Sequence, residues 1–455
     1  MAQAALSPEA ISALAKPGTV QIVTHISGTA TIPAVAVDPL SKTVRLEENQ
    51  TPRTLPVDQY LSGSGFAISQ EGYIATNAHV VSSEATKQEL ATDSAFQGLF
   101  AGALSLDDEE MQSFLDQEGE AFAQEVLRFV LENSTFDLST EAHVLRPGTS
   151  TSDFKKNFEE GVVAEIISAH QGFLQGESDV ALLRIAEGPL PALRLGAGSV
   201  SGGEKVYILG YPATAELGQS DSREPTLTDG IVSAFRKDEQ GGEDLIQTDA
   251  KISEGSSGGP LLNAEGEVIG IITFQTDTLH RSSGDNFAFA LPVQELRGLL
   301  DEARVTPQES MFGVQFREGF VFYLDRRCEK MLRTFETISE SASFPITPSL
   351  APFRERCQDW QASGTARDSF WERFRTSEEG AKRSELYLFA GSLFFFTVFL
   401  GVILWLLRQV QREELAIKRL SRRLSADEFR LRAHEMREGQ ENSVSQNTRE
   451  DQIKT

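Results

Sequence analysis

From Thr19 to Val293 the chain is written in short β-branched and aromatic runs separated by glycine and other turn residues, and that rhythm leaves few folds open. The runs include "TVQIVTHI", "GSGFAIS", "GYIATNAHVV", "VVAEIISA", "DVALLRI", "EKVYILG", "GIVSAF", "EVIGIITF" and "NFAFALPV". Many short strands with turn signals between them predict an antiparallel sandwich or a pair of barrels. With 455 residues, the chain has room for about three domains. One stretch inside the β region differs. "DDEEMQSFLDQEGEAFAQEVLRFVLEN" has helical spacing, with Phe114, Phe122, Val126 and Phe129 on an apolar face among acidic residues. An acidic helical insertion is expected over about 83–145.

The remainder reads as helix. "QELRGLLDEARV" closes the β region, which is assigned to 19–300 after an N-terminal segment 1–18. A helical stalk is expected over 308–385. "FPITPSLAP" divides it, and its halves carry the chain's 2 cysteines, Cys328 and Cys357. Two helices joined by a proline-rich turn are expected, bridged by one disulfide; two free buried thiols are the alternative. From Leu386 to Leu407 the sequence "LYLFAGSLFFFTVFLGVILWLL" holds no charge. Roughly 20 apolar residues span a bilayer core, so a single-pass transmembrane helix is expected at 386–407. In the charged tail 408–455, Val410, Ile417, Leu424 and Leu431 recur every seven residues, as in a short coiled coil or a solvated helix with a disordered end. The start, "MAQAALSPEA", has neither a basic nor an apolar signal region. Ala2-Gln3-Ala4 reads either as the remnant of a cleavage site or as an ordinary beginning.

A formal net charge of −25 argues against a general nucleic-acid surface. No CxxC pattern or Cys/His cluster suggests zinc, so no metal and no cofactor is expected.

The chemistry gathers around "EGSSGGPLLN", Glu254 to Asn263. A serine hydroxyl is a weak nucleophile that needs an adjacent base, usually a histidine oriented by a carboxylate. Of 6 histidines, His25, His143, His170, His280 and His434 have no distinctive context. His79 follows the strand-like "GYIATNA" and fits the base. Asp179 heads the apolar run "DVALLRI", where a half-buried acid needs a donor such as His79 Nδ1–H. Asp249 in "IQTDAKI" is a rival by proximity and is read as structural. The order His79, Asp179, Ser257 is that of the chymotrypsin type, not of subtilisins or α/β-hydrolases. Ser257 rather than Ser256 is the nucleophile, because "GSSGGP" aligns as Gly-x-Ser-Gly-Gly-Pro. The N–H groups of Gly255 and Ser257 can then converge on a developing oxyanion.

These pieces, with "LGYPA" and "IQTDAKISEGSSGGPLLNAEGEVIGI", resemble the protease domain of the HtrA (Deg) branch of trypsin-like serine proteases. The resemblance implies a mainly β fold of two perpendicular six-stranded antiparallel barrels with the active site between them. It also implies ATP-independent endoproteolysis of unfolded or damaged extracytoplasmic proteins, and a homotrimer, although no aromatic cluster of the trimer-forming kind is visible. The chain departs from the family at Ser256, where Asn is common, in the wide His79–Asp179 spacing, and in leaving no room for a PDZ domain after Val293. For S1 the expected lining is Ile252 with Phe274, Gln275 and Thr276, favouring small or medium aliphatic P1 residues. The lysines and arginines flanking 386–407 are nearly balanced, and the expected placement is a bacterial inner membrane with the protease domain outside the cytoplasm and the tail inside. The competing reading is a protease-fold scaffold or chaperone subunit with a latent site.

Overall fold

A computed structural model of the chain describes residues 5–47, 50–104, 106, 119–169, 178–187, 190–197, 200–212, 223–237, 244–275, 287–341, 347–368 and 396–415, with 418, 419, 430, 432 and 436. Two units emerge, Met1–Asp368 and Ser369–Thr455. In the first, strands β1 (Thr19–Ile32), β4 (Arg53–Ala67), β5 (Tyr73–Thr76), β6 (Thr135–Leu145), β7 (Val162–Ala169) and β8 (Ala181–Ile185) close a barrel in the order β1-β4-β5-β8-β7-β6. Alternating residues such as Val20, Ile22, Ile74, Ala142, Val144, Ala181 and Leu183 fill its interior. The second barrel closes in the order β10-β11-β14-β13-β12-β9, from β9 (Lys205–Gly210), β10 (Thr226–Lys237), β11 (Asp244–Thr248), β12 (Pro260–Leu262), β13 (Val268–Gln275) and β14 (Ala288–Pro292). Its core includes Val206, Ile208, Ile246, Leu261, Ile272 and Ala290. Both barrels expected from the family resemblance are thus present.

β1 and β4 run well past the first barrel as a twisted ribbon, beside the hairpin β2 (Val35–Asp38) and β3 (Thr43–Leu46). The insertion covers this ribbon. Helices α2 (Glu84–Ala103) and α3 (Gly119–Asn133) bury Ala91, Ala95, Phe122, Val126 and Val130 against Ile26, Ala30, Ile32, Val35, Val37 and Val57. Phe129 is only partly buried in this cluster, and Phe114 lies outside the described residues. Of the span 83–145, the part after Asn133 is not helical: Thr135–Leu145 is β6, paired with β1 from Gln21↔Leu145 to Thr31↔Thr135. Its outer half alternates half-buried with exposed residues, which dilutes the apolar signal of a strand.

After β14 come α5 (Val293–Ala303), α6 (Met311–Leu324), α7 (Cys328–Ser341) and α8 (Thr347–Ala362). The stretch expected as two helices therefore holds three, because the run before the proline-rich segment is itself broken between Leu324 and Cys328, where Arg326 takes a left-handed φ of 55°, while Pro348 and Pro352 fall within α8. Pro348 loses little there, since the first N–H groups have no partner within the helix, whereas Pro352, in the second turn, forgoes one helical bond. Phe353 meets the rings of Phe316, Phe320, Tyr323 and Phe335 edge-on, with centroids 5.1–6.1 Å apart. The Cys328–Cys357 disulfide ties α7 to α8, with the Cα atoms 5.3 Å apart. These helices share one core with α1 (Pro8–Ala15) and with barrel residues such as Leu209, Leu262 and Ile271, so they are part of the barrel body and not a free stalk.

The second unit corrects the expectation of a membrane span. Among the described residues, no helix is long and apolar enough to cross a membrane. The helix over 396–415 is apolar only from Phe396 to Leu407, after which Arg408, Arg412, Glu413 and Glu414 follow. At about 1.5 Å per residue the described apolar part reaches roughly 18 Å, against a hydrocarbon core of about 30 Å. Residues 386–395 lie outside the described residues.

Candidate active site

β5 ends at Thr76 and the chain turns through Asn77 and Ala78 into a 3₁₀ turn, His79–Val81. Val80 and Val81 are buried in the first barrel, which fixes the turn and leaves the His79 ring at the barrel mouth. Asp179 sits just before β8, the strand paired with β5, so sheet register brings the two residues together across 100 positions of sequence. One carboxylate oxygen, Oδ2, lies 2.7 Å from His79 Nδ1, and the other accepts the His79 backbone N–H at 3.0 Å. Oδ2 also accepts the hydroxyl of Thr273 at 2.8 Å. Asn77 donates its side-chain amide to the Asp179 carbonyl at 2.8 Å, holding the loop from behind. The Asp179 side chain is 6 % exposed and that of His79 is 42 % exposed, so the pair is buried at the acid and open at the base. Burial disfavours the imidazolium and is the largest single influence on His79. The charge of Asp179 and the hydrogen bond to it together outweigh burial, so the histidine is raised above its ordinary 6.5.

The second barrel supplies Ser257 from the loop between β11 and β12. Gly255 and Gly258 hold φ of 89° and 86°, the left-handed region that favours glycine. A Cβ at Gly258 would collide with the Ser64 carbonyl oxygen and the Thr76 hydroxyl, both of the opposite barrel. Among the described residues, the N–H groups of Gly255 and Ser257 have no partner, whereas Ser256, Gly258 and Gly259 donate to Ser253, Ile272 and Ser256. Two free donors beside the serine are what an oxyanion needs. The Ser257 hydroxyl donates to the Thr273 carbonyl at 2.9 Å, and among the described residues no hydrogen bond joins it to His79. Ser257 is thus linked to the Asp179–His79 pair through Thr273, whose carbonyl accepts the serine hydroxyl and whose own hydroxyl donates to Asp179.

Of the expected S1 residues, Ile252 is partly buried against the second barrel's core. The backbone of Phe274 and Gln275 belongs to β13, and Thr276 lies outside the described residues. Lys251 is exposed, its carbonyl accepting from the Thr228 hydroxyl at 2.8 Å. Asp249 is exposed and accepts the N–H of Ile231 at 2.8 Å, which ties β10 to the segment after β11. His25 pairs with Asp58 at 2.7 Å and stacks on Tyr60, while His143 pairs with Glu141 at 3.0 Å and stacks on Phe158, all on the first barrel's ribbon and helix α4 (Phe154–Glu160). His170, His280 and His434 lie outside the described residues. Among the described residues, no group of His, Cys, Asp and Glu could hold a metal ion. Thr273 is the partner that sequence reasoning missed; it stands one residue before the expected S1 strand, where β13 passes the carboxylate.

Residues 63–271 match the family described as a trypsin-like peptidase domain. The chain is 30% identical over 253 residues to serine protease HTRA1 of Xenopus tropicalis, covering 53% of this chain and 36% of that protein. It is 34% identical over 183 residues to the putative serine protease HhoB of Synechocystis, covering 38% of each. Among solved structures, the HtrA-type protease AlgW with a decapeptide matches 66% of this chain and 68% of its own, at 21% identity and a TM-score of 0.35. The chain spans little more than a third of the length of these two curated relatives.

Proposed function

We propose that the protein is a serine endopeptidase of HtrA-like type that cleaves unfolded or damaged proteins through His79, Asp179 and Ser257. The observation that carries the reading is the Asp179–His79 contact of 2.7 Å, in the same site as a serine flanked by two unpartnered N–H groups. Ser257 rotates from Thr273 toward His79 and attacks the scissile carbonyl as the imidazole takes its proton. Asp179 keeps the proton on Nδ1, so that Nε2 is the free base, and stabilises the imidazolium. The N–H groups of Gly255 and Ser257 receive the oxyanion, and His79 returns the proton to the leaving amine. Water then repeats the cycle on the acyl-enzyme.

An unfolded chain suits this cleft, because an extended peptide can pair with the backbone of β13 next to Thr273. The buried disulfide supports work in an oxidising, extracytoplasmic compartment, where such bonds persist. A homotrimer is proposed on the family resemblance alone, and sedimentation velocity tests it. A protease-fold scaffold with a shut site is the second reading, favoured by the resting Ser257–Thr273 bond. Degradation of unfolded casein by the purified chain, set against Ser257→Ala, separates the two. Fragments from the parent alone support the peptidase; intact casein with both supports the scaffold.

A further inference from the structure

Ser64 lies in the first barrel, fully buried, yet it bonds to the second. On one side it faces Gln21 in the β1–β4 register. On the other, β5 pairs with β4 only at Phe66 and Ala67, leaving the Ser64 backbone uncovered. The nucleophile loop takes up that free edge. The Ser64 N–H donates to the Ser257 carbonyl at 2.8 Å, and its hydroxyl donates to the Gly255 carbonyl at 2.6 Å. The same hydroxyl accepts the Tyr211 N–H at 2.9 Å, and the Ser64 carbonyl accepts the Thr76 hydroxyl at 2.7 Å. Every polar group of this residue is therefore engaged, and its hydroxyl is directed by a donor behind it.

The two carbonyls that Ser64 holds belong to the peptide planes on either side of Ser256-Ser257. Fixing the Gly255 carbonyl, while the Ser256 N–H of the same plane donates to Ser253, sets the rotation of the backbone between the two free N–H groups. Glycine at 255 has wide backbone freedom, so without that bond the plane can turn and carry one donor out of line. We propose that Ser64 is a positioning residue that aims the oxyanion-binding N–H groups of Gly255 and Ser257 from the opposite barrel. It touches no substrate. This rests on the peptidase reading and deepens it, since the site becomes competent only when one barrel orients the loop of the other.

The experiment compares the full-length parent with Ser64→Ala, which removes the hydroxyl bonds and keeps the backbone bond, and with Ser64→Thr, which restores a hydroxyl. Measured are kcat and KM on an extended peptide, inhibition by a peptidyl aldehyde, whose hemiacetal oxygen occupies the oxyanion position, and the thermal midpoint. Misaimed donors lower kcat about 10- to 100-fold while KM stays within about twofold, because the lost interaction belongs to the transition state. Aldehyde inhibition weakens by the same factor as kcat/KM, and Ser64→Thr recovers most of both. An active parent whose Ser64→Ala variant keeps kcat, or loses it with aldehyde inhibition unchanged, overturns the positioning role alone. A parent that neither cleaves peptide nor binds aldehyde overturns the peptidase reading, and the positioning role with it.

Discussion

Neutral His79 is the species that can take a proton from Ser257, and its raised value sets the pH at which it is available. As pH falls through that value the imidazole becomes charged and the base is lost. The acid limb of kcat/KM is therefore expected above pH 6.5, the ordinary histidine value. Asp179→Asn removes both influences that raise His79 and leaves burial, so the limb moves to lower pH while kcat falls by about 10³-fold or more. A limb that stays in place shows that Asp179 does not govern the base. The neighbouring serines give a second check. Ser257→Ala abolishes peptide hydrolysis, whereas Ser256→Ala retains it within about fivefold, since the Ser256 hydroxyl makes only a 3.4 Å contact with the Ser253 N–H. A dead Ser256→Ala enzyme with an active Ser257→Ala would move the nucleophile by one position. His79, Asp179 and Ser257 are legible in sequence as a candidate triad because each lies in a short local motif. Ser64 stood in the quoted "GSGFAIS", but its partner at Gly255 is 191 positions away. Thr273 was hidden for the same reason, since its role depends on how β13 passes Asp179, which no local pattern records.

Among the elements, legibility followed how far each obeys its own periodicity. The interior strands are apolar runs bounded by glycine and could be read directly. β6 could not, because its outer half lies on a ribbon with water on one side and merges with the helical insertion before it. The uncharged stretch 386–407 marks the limit of an apolar count, which does not say how much of the run forms one helix: among the described residues no helix is long and apolar enough to cross a membrane. The nucleophile loop supplies a test at this scale. Gly258→Ala adds a Cβ against the Ser64 carbonyl and the Thr76 hydroxyl at a φ of 86°. It should cost roughly 2 kcal/mol or more in denaturant unfolding and abolish activity. A stable, active variant would show that the barrels do not approach so closely. The α7–α8 bridge supplies another. Replacing Cys328 and Cys357 by serine opens a loop of 29 residues and removes roughly 3–4 kcal/mol of constraint in the chain-entropy view, read as a lower thermal midpoint. Both sulfurs are buried, so thiol titration of the unreduced, denatured parent is expected to find none. Two titratable thiols there would reject the bridge.

At the scale of the whole molecule, the proposed catalysis belongs to neither barrel. The base and its carboxylate come from the first; the nucleophile, the oxyanion donors and Thr273 come from the second. The proposed S1 lining falls on the second barrel, where Ile252 packs beside the core and Lys251 is exposed. None of the proposed lining residues Ile252, Phe274, Gln275 and Thr276 is acidic, so cleavage after Val, Ala or Ile is expected in a peptide-library profile, and trypsin-like cleavage would refute it. The bond from Ser257 to the Thr273 carbonyl also bears on how safely such an enzyme can be carried by a cell. A carbonyl cannot accept the hydroxyl proton outright, so the resting serine is a poor nucleophile toward whatever small electrophile drifts into the cleft. An extended peptide pairing with β13 brings its own N–H to that carbonyl and competes for it, freeing the serine where a scissile bond is already in place. Reactivity between substrates then follows one side-chain rotation, and a small ester-like electrophile that does not pair with β13 is expected to label Ser257 a few-fold more slowly than a peptidyl one of equal reactivity.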